Sequence, residues 1–197
     1  MFAKGYTNIR AMIETQYGIL SQMITDIAYR YQTQLKQTEE EADRLARDNS
    51  DGDYEVYHTI LNSFNDVEER SYCLMTESRK ILFCAIFSYY ETMLNEFVMY
   101  YKIANNATQP SQILDSILKA YKIKYGEEIT CIEDNVEYAN SIYRLLRNLY
   151  MHGTLLGEKD RCTLFNYAGV THGLKAVGID TIVITDNAFL YKALDCF

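Results

Sequence analysis

The sequence predicts a mainly α protein, an antiparallel helical bundle with long helices and a small C-terminal β or extended appendix. Three observations carry that expectation. The 197 residues include nine glycines and a single proline, Pro110. A many-stranded sandwich needs turn residues roughly every ten positions, and these breakers are too few for one. Apolar residues recur at three- and four-residue spacing over long stretches, the period of a helix with one buried face. After Gly153 the texture changes to threonine, β-branched and aromatic residues separated by glycines, which favours extended chain. The expected division is a bundle over residues 1–155 and an appendix over 156–197 packed upon it.

The first element is a helix over about residues 7–47, where Ile9, Met12, Ile13, Leu20, Met23, Ile24, Ile27, Tyr31 and Leu35 form one stripe. The stripe fades into Gln37, Thr38 and three glutamates, a solvated end. Residues 48–53 are the clearest loop, and Asp53 is placed to cap the next helix. A second helical stretch spans about 54–104, with a break expected near 70–75. Within it, residues 81–87 are apolar on every side and are expected to sit centrally with neighbours all round. Asn105 to Pro110 closes that stretch; Ser111 is the expected N-cap of a short helix to about Tyr125, stopped by Gly126. Asp134 is expected to cap a helix over 135–152, with Gly153 at its C-terminal end. In the appendix, residues 162–168 and 180–185 read as extended, 181–185 as a strand, and Asp186 as the cap of a last helix to Leu194.

Composition narrows the function. The length suits one domain of ordinary size, and 48% hydrophobic residues argue against disorder. The net charge of −8 excludes general coating of nucleic acid, so any such contact must come from a local basic patch. Cys73, Cys84, Cys131, Cys162 and Cys196 are odd in number and dispersed, with no C-x-x-C. With only three histidines, no zinc-ligand spacing arises, and neither a metal nor another cofactor is expected. Reduced thiols in a cytoplasm are the simplest account. The N-terminus lacks the apolar core of a signal peptide, and the apolar run 81–90 is half of the roughly 20 residues a membrane span needs. A cytoplasmic protein with no membrane partner is therefore expected. Eighteen tyrosines with no tryptophan read as amphipathic core-edge or interface residues rather than a base-stacking platform.

The helix over 135–152 carries the chemistry. On a wheel, Val136, Tyr138, Ala139, Ile142, Tyr143, Leu145, Leu146, Leu149 and Tyr150 fill one half. Arg144, Asn148 and His152, four residues apart, form one row on the other half, with Arg147 beside it. Arg147 and His152 lie about 140° apart, so on an isolated helix they flank a groove without touching. Two arginines and a histidine on the last turns make a cationic island in an acidic protein, where the helix C-terminus favours a protonated imidazole. A histidine can take the proton of a ribose 2′-hydroxyl or give one to a leaving oxygen. Arginine offers a fork of donors to a phosphate whose charge grows in the transition state, and Asn148 can orient imidazole or substrate. That set suffices for metal-independent cleavage of RNA. DNA, lacking the 2′-hydroxyl, would be spared.

The run Arg147-Asn148-Leu149-Tyr150-Met151-His152-Gly153 resembles the R-N-x-x-x-H signature of the HEPN superfamily. The stretch Phe87 to Asn95, with Glu91 in an apolar context, resembles an earlier helix of such proteins. The resemblance covers residues 79–153 best and leaves the first 50 residues and the tail unmatched. It implies a helical bundle that pairs as a homodimer, so that both motifs share one cleft. It implies an endoribonuclease acting as a toxin or in abortive infection, with tRNA, rRNA or mRNA as substrate and an antitoxin or inhibitor protein as partner. Arg147, Asn148 and His152 are then the catalytic residues, and Arg144 and Glu91 the substrate-binding ones. Some members carry a modifiable tyrosine two positions after the histidine; here that residue is Thr154.

Plainer readings stand beside these. Arginines near a helix C-terminus are a common stabilising arrangement, and a terminal histidine can simply bond the last carbonyls. A glutamate in an apolar setting is usually a paired structural group. His58 and His172 have no evident catalytic partner, and Lys119 to Lys124 reads as an exposed helix face. A non-catalytic, dimeric interaction or nucleotide-binding module of the same fold remains the alternative.

Overall fold

A helix of 49 residues, α1 (Phe2–Ser50), sets the length of the molecule. The computed structural model describes residues 2–101, 110–125, 139–153 and 157–196. After α1 the chain reverses through Asp51 and Gly52, both at positive φ, into α2 (Tyr54–Ser63). Asp53 caps α2 as expected, its Oδ1 accepting from the backbone N–H of Glu55 and Val56 at 2.8 and 3.2 Å. Then follow α3 (Asn65–Tyr101) and α4 (Pro110–Tyr125).

The second helical stretch does break, but at Phe64 and not at 70–75, which lie in unbroken helix. Ser63 explains the position: its hydroxyl donates to the Ile60 carbonyl at 2.6 Å, competing with the helix ladder just where α2 ends. Ser111 is not the cap of α4, because Pro110 already occupies the helix's first position, where its missing N–H costs nothing. The expected stop at Gly126 and cap at Asp134 lie outside the described residues.

The centre of α3 is not surrounded. Leu82, Phe83, Ile86 and Phe87 are buried, but Ile81 and Ala85 are exposed. α3 packs on α1 along one side, where the Tyr31 hydroxyl meets Ser78 Oγ at 3.1 Å, and on the C-terminal elements along another. The side of α3 that carries Ile81 and Ala85 stays open.

A π-helical turn, Ala139–Tyr143, leads into α5 (Arg144–His152). Residues 162–168, read from sequence as extended, lie instead in helix α6 (Glu158–Val170). Leu164 and Ala168, four apart, are both buried on one face, and Thr163 donates its hydroxyl back to the Lys159 carbonyl at 3.0 Å. Burial of that face outweighs the β propensity of the residues between. The expected strand forms as β2 (Thr181–Ile184), paired antiparallel with β1 (Leu174–Val177) in the register Leu174 to Ile184 and Val177 to Thr181. Asp186 accepts from the Ala188 N–H at 2.8 Å and opens α7 (Asn187–Cys196).

One hydrophobic core joins most of these elements. Leu20 and Ile24 of α1, Leu82, Phe83, Ile86 and Phe87 of α3, Leu146 of α5, Ile182 and Ile184 of β2, and Phe189 and Leu190 of α7 belong to a single cluster. Its centre is aromatic: Phe83 stacks on Phe189 with ring centroids 5.7 Å apart, and Tyr143 meets both edge-on at 5.8 Å. The C-terminal hairpin and α7 thus cover the inner side of α3 while α5 covers its flank. No helix among the described residues is long and apolar enough to cross a membrane.

Candidate functional site

Of the half that the wheel assigns to a core, Ile142 and Tyr143 of the π turn and Leu145, Leu146 and Leu149 of α5 are buried and Tyr150 is half-buried, while the burial of Val136, Tyr138 and Ala139 lies outside the described residues. That burial orients the polar half. Gly153 ends the helix at φ 66°, its N–H bonding the Leu149 carbonyl at 2.9 Å. A residue with a Cβ would be strained there.

Arg147, Asn148 and Arg144 are half-buried, and His152 is exposed in the last turn. Arg147 donates from Nη1 to Asn148 Oδ1 at 3.2 Å. Its Nε is buried without a hydrogen-bond partner among the described residues. The guanidinium lies beside Cys84 of α3: burial pushes that thiol's pKa up, and the arginine's charge pulls against it. Arg147 therefore lies on the side of α5 that faces α3. His152 leaves the helix about 140° around from it. One chain brings Arg147 and Asn148 together, while His152 stands one turn beyond Asn148 on the same row and away from Arg147.

Two further residues lie at this contact between α3 and α5. Lys80 of α3 holds its ammonium 5.8 Å from the ring centroid of Tyr150 and pairs with Glu77. The Tyr150 hydroxyl is buried without a hydrogen-bond partner among the described residues, and burial holds its pKa well above the usual tyrosine range, helped by Cys84 and Glu77. Lys80 and Cys84 face α5 together because they are one turn apart. Glu91, two turns beyond Cys84, lies on the same side of α3 and is half-buried, where it helps raise the pKa of Tyr90 to about 12, burial being the larger cause.

The other histidines sit elsewhere. His58 lies between the rings of Tyr54 and Tyr57, and His172 faces Asp186 at 3.9 Å. Lys119 and Lys122 are exposed on α4. Lys80, Cys84 and Tyr150 are the residues of this contact that sequence reasoning missed. The available signal was Lys80 itself, a cation opening an apolar run.

Compared with known proteins, the chain matches no family model, no curated protein and no solved structure.

Proposed function

We propose that this protein is a metal-independent endoribonuclease of the HEPN kind, working as a homodimer on cellular RNA as a toxin or antiphage effector. The observation that carries the reading is the unequal setting of two groups on α5: a half-buried guanidinium held by Asn148, and an exposed imidazole in the following turn. An anchored guanidinium suits a phosphate whose charge grows, because its donors are aimed in advance. An exposed imidazole suits proton transfer, because it must reach the substrate. The imidazole takes the 2′-hydroxyl proton, O2′ attacks phosphorus, and the 5′-oxygen leaves as an alcohol after protonation. The products are a 2′,3′-cyclic phosphate and a 5′-hydroxyl. Because Arg147 and His152 diverge on one helix, each cleft takes groups from two copies related by a two-fold axis.

Expression of wild type and His152→Ala in a bacterial host, followed by analysis of tRNA and rRNA integrity, tests the proposal. Wild type should fragment RNA in the presence of a chelator. His152→Ala should lose about 100-fold or more in rate, with melting temperature unchanged because the side chain is exposed. Wild-type protein that binds RNA or nucleotide and cuts nothing would instead favour the non-catalytic dimeric module, the reading that the charge of −8 favours. Equal cleavage by the variant would remove His152 from the chemistry.

A further inference from the structure

α3 displays a long uncharged strip on its open side. Val67 (41% exposed), Leu74 (55%), Ile81 (70%) and Met99 (64%) lie on it, with Ala85 and Thr92, also exposed, between them. At 100° per residue these six fall within about 40° of arc. Their order is self-complementary. Val67, Leu74 and Ile81 are spaced by sevens; so are Ala85, Thr92 and Met99; and the two triplets are placed symmetrically about residue 83.

We infer that this strip is where a second copy of the chain docks, with the two α3 helices antiparallel across a two-fold axis at the level of residue 83. In that arrangement Ile81 meets Ala85, Leu74 meets Thr92 and Val67 meets Met99, so a larger side chain faces a smaller one in the two central layers. A partner of different sequence would need no such symmetry, whereas an isologous pair requires it. The size fits as well. A strip from Val67 to Met99 is about 48 Å long and roughly 10 Å wide, on the order of 1,000 Å² for the pair, the extent at which an interface becomes stable. Each copy carries −8, and the six strip residues carry no charge, so apolar burial can act there against the general repulsion.

The strip also shares α3 with the Arg147 contact. α1 borders it through Ser78, and α5 packs on the opposite flank of α3, where Cys84 and Lys80 fall about 60° and 100° from the strip's edge. Arg147, beside Cys84, is level with the proposed axis. In an antiparallel helix pair like flanks meet, so both α5 helices come to one side of the paired α3 helices. The docking itself stands on the geometry of α3; only its consequence for cleavage rests on the ribonuclease reading.

Sedimentation velocity on the full chain tests the inference, comparing wild type with Ile81→Lys and with Ile179→Lys, a control at an 81%-exposed residue of the hairpin turn. Wild type and the control should sediment as dimers. Ile81→Lys should weaken the dimer by about a hundredfold or more, with helix content unchanged because the side chain is exposed in one chain. A monomeric wild type at about 100 µM, or a dimer that survives Ile81→Lys, would overturn the inference. RNA cleavage measured on the same samples separates the two claims. A dimer that needs Ile81 but cuts nothing upholds the interface and removes the ribonuclease reading.

Discussion

Arg79 is buried, and its three contacts hold the C-terminal segment to the bundle. Nε donates to Asn187 Oδ1 at 2.7 Å, and Nη1 donates to the Thr185 and Ile184 carbonyls at 2.9 and 3.4 Å. Asn187 in turn donates from Nδ2 to the Ile24 carbonyl at 2.8 Å, so one guanidinium links α3, the end of β2, α7 and α1. Burial lowers its pKa below the usual arginine value, while the charge of Asp186 acts the other way. Removing one partner of such a network is costly because the acceptors stay buried and lose their donor. Arg79→Met should therefore destabilise the fold by about 2–4 kcal/mol, read as a lower urea midpoint with unchanged slope. A midpoint equal to wild type would show that the carbonyls find other donors. The exposed pair Arg10–Glu14, at 2.8 Å, is a contrast at the same scale: its geometry is as good, yet solvent screening leaves it contributing little.

In the hairpin, two glycines with similar backbones differ in what surrounds them. Gly173 and Gly178 both have positive φ, 85° and 65°. A Cβ on Gly178 would meet open space, but on Gly173 it would lie 2.9 Å from the Phe189 Cβ. Each alanine substitution carries a backbone cost of about 1–2 kcal/mol, and Gly173→Ala adds overpacking of roughly 1–3 kcal/mol against a ring of the core. Thermal melts should rank Gly173→Ala clearly below Gly178→Ala; equal losses would mean that α7 shifts to make room. Such contacts are what the sequence could not supply. The long helices were legible because periodicity reports a buried face, and Asp53 and Asp186 were legible because caps act within three residues. The row Arg144, Asn148, His152 followed from spacing alone. By contrast, the apolar run 81–87 offers several similar faces, so nothing local says that Ile81 stays open or that Lys80 and Cys84 meet α5. The break at Phe64 has no glycine or proline to announce it, and the helix over 158–170 forms because Leu164 and Ala168 find a core that lies far away in sequence.

Across the whole molecule, phenols buried in and around the core set the response to alkali. Burial pushes the Tyr90 pKa up to about 12 and raises those of Tyr143 and Tyr150 further, with Cys196 and Tyr167 beside the first and Cys84 and Glu77 beside the second. Tyr17 is raised by donating its hydroxyl to Asp195 at 2.7 Å. In each case the folded chain holds its proton above the ordinary value of 10, whereas an unfolded chain releases it near 10. Stability from these groups is therefore fully present below about pH 10 and is lost as pH rises toward the folded values. For Tyr90 alone the rise from 10 to about 12 corresponds to on the order of 2–3 kcal/mol, a large part of the stability of a domain this size. A titration from pH 9 to 12.5, following phenolate absorbance near 295 nm and helical circular dichroism together, should show a late fraction of tyrosines ionising only as the helix signal collapses. Smooth ionisation of every tyrosine with the helices intact would contradict the burial of Tyr90, Tyr143 and Tyr150. Because Tyr143 immediately precedes the motif helix and Tyr150 lies within it, the same transition should release Arg147 from its place beside α3.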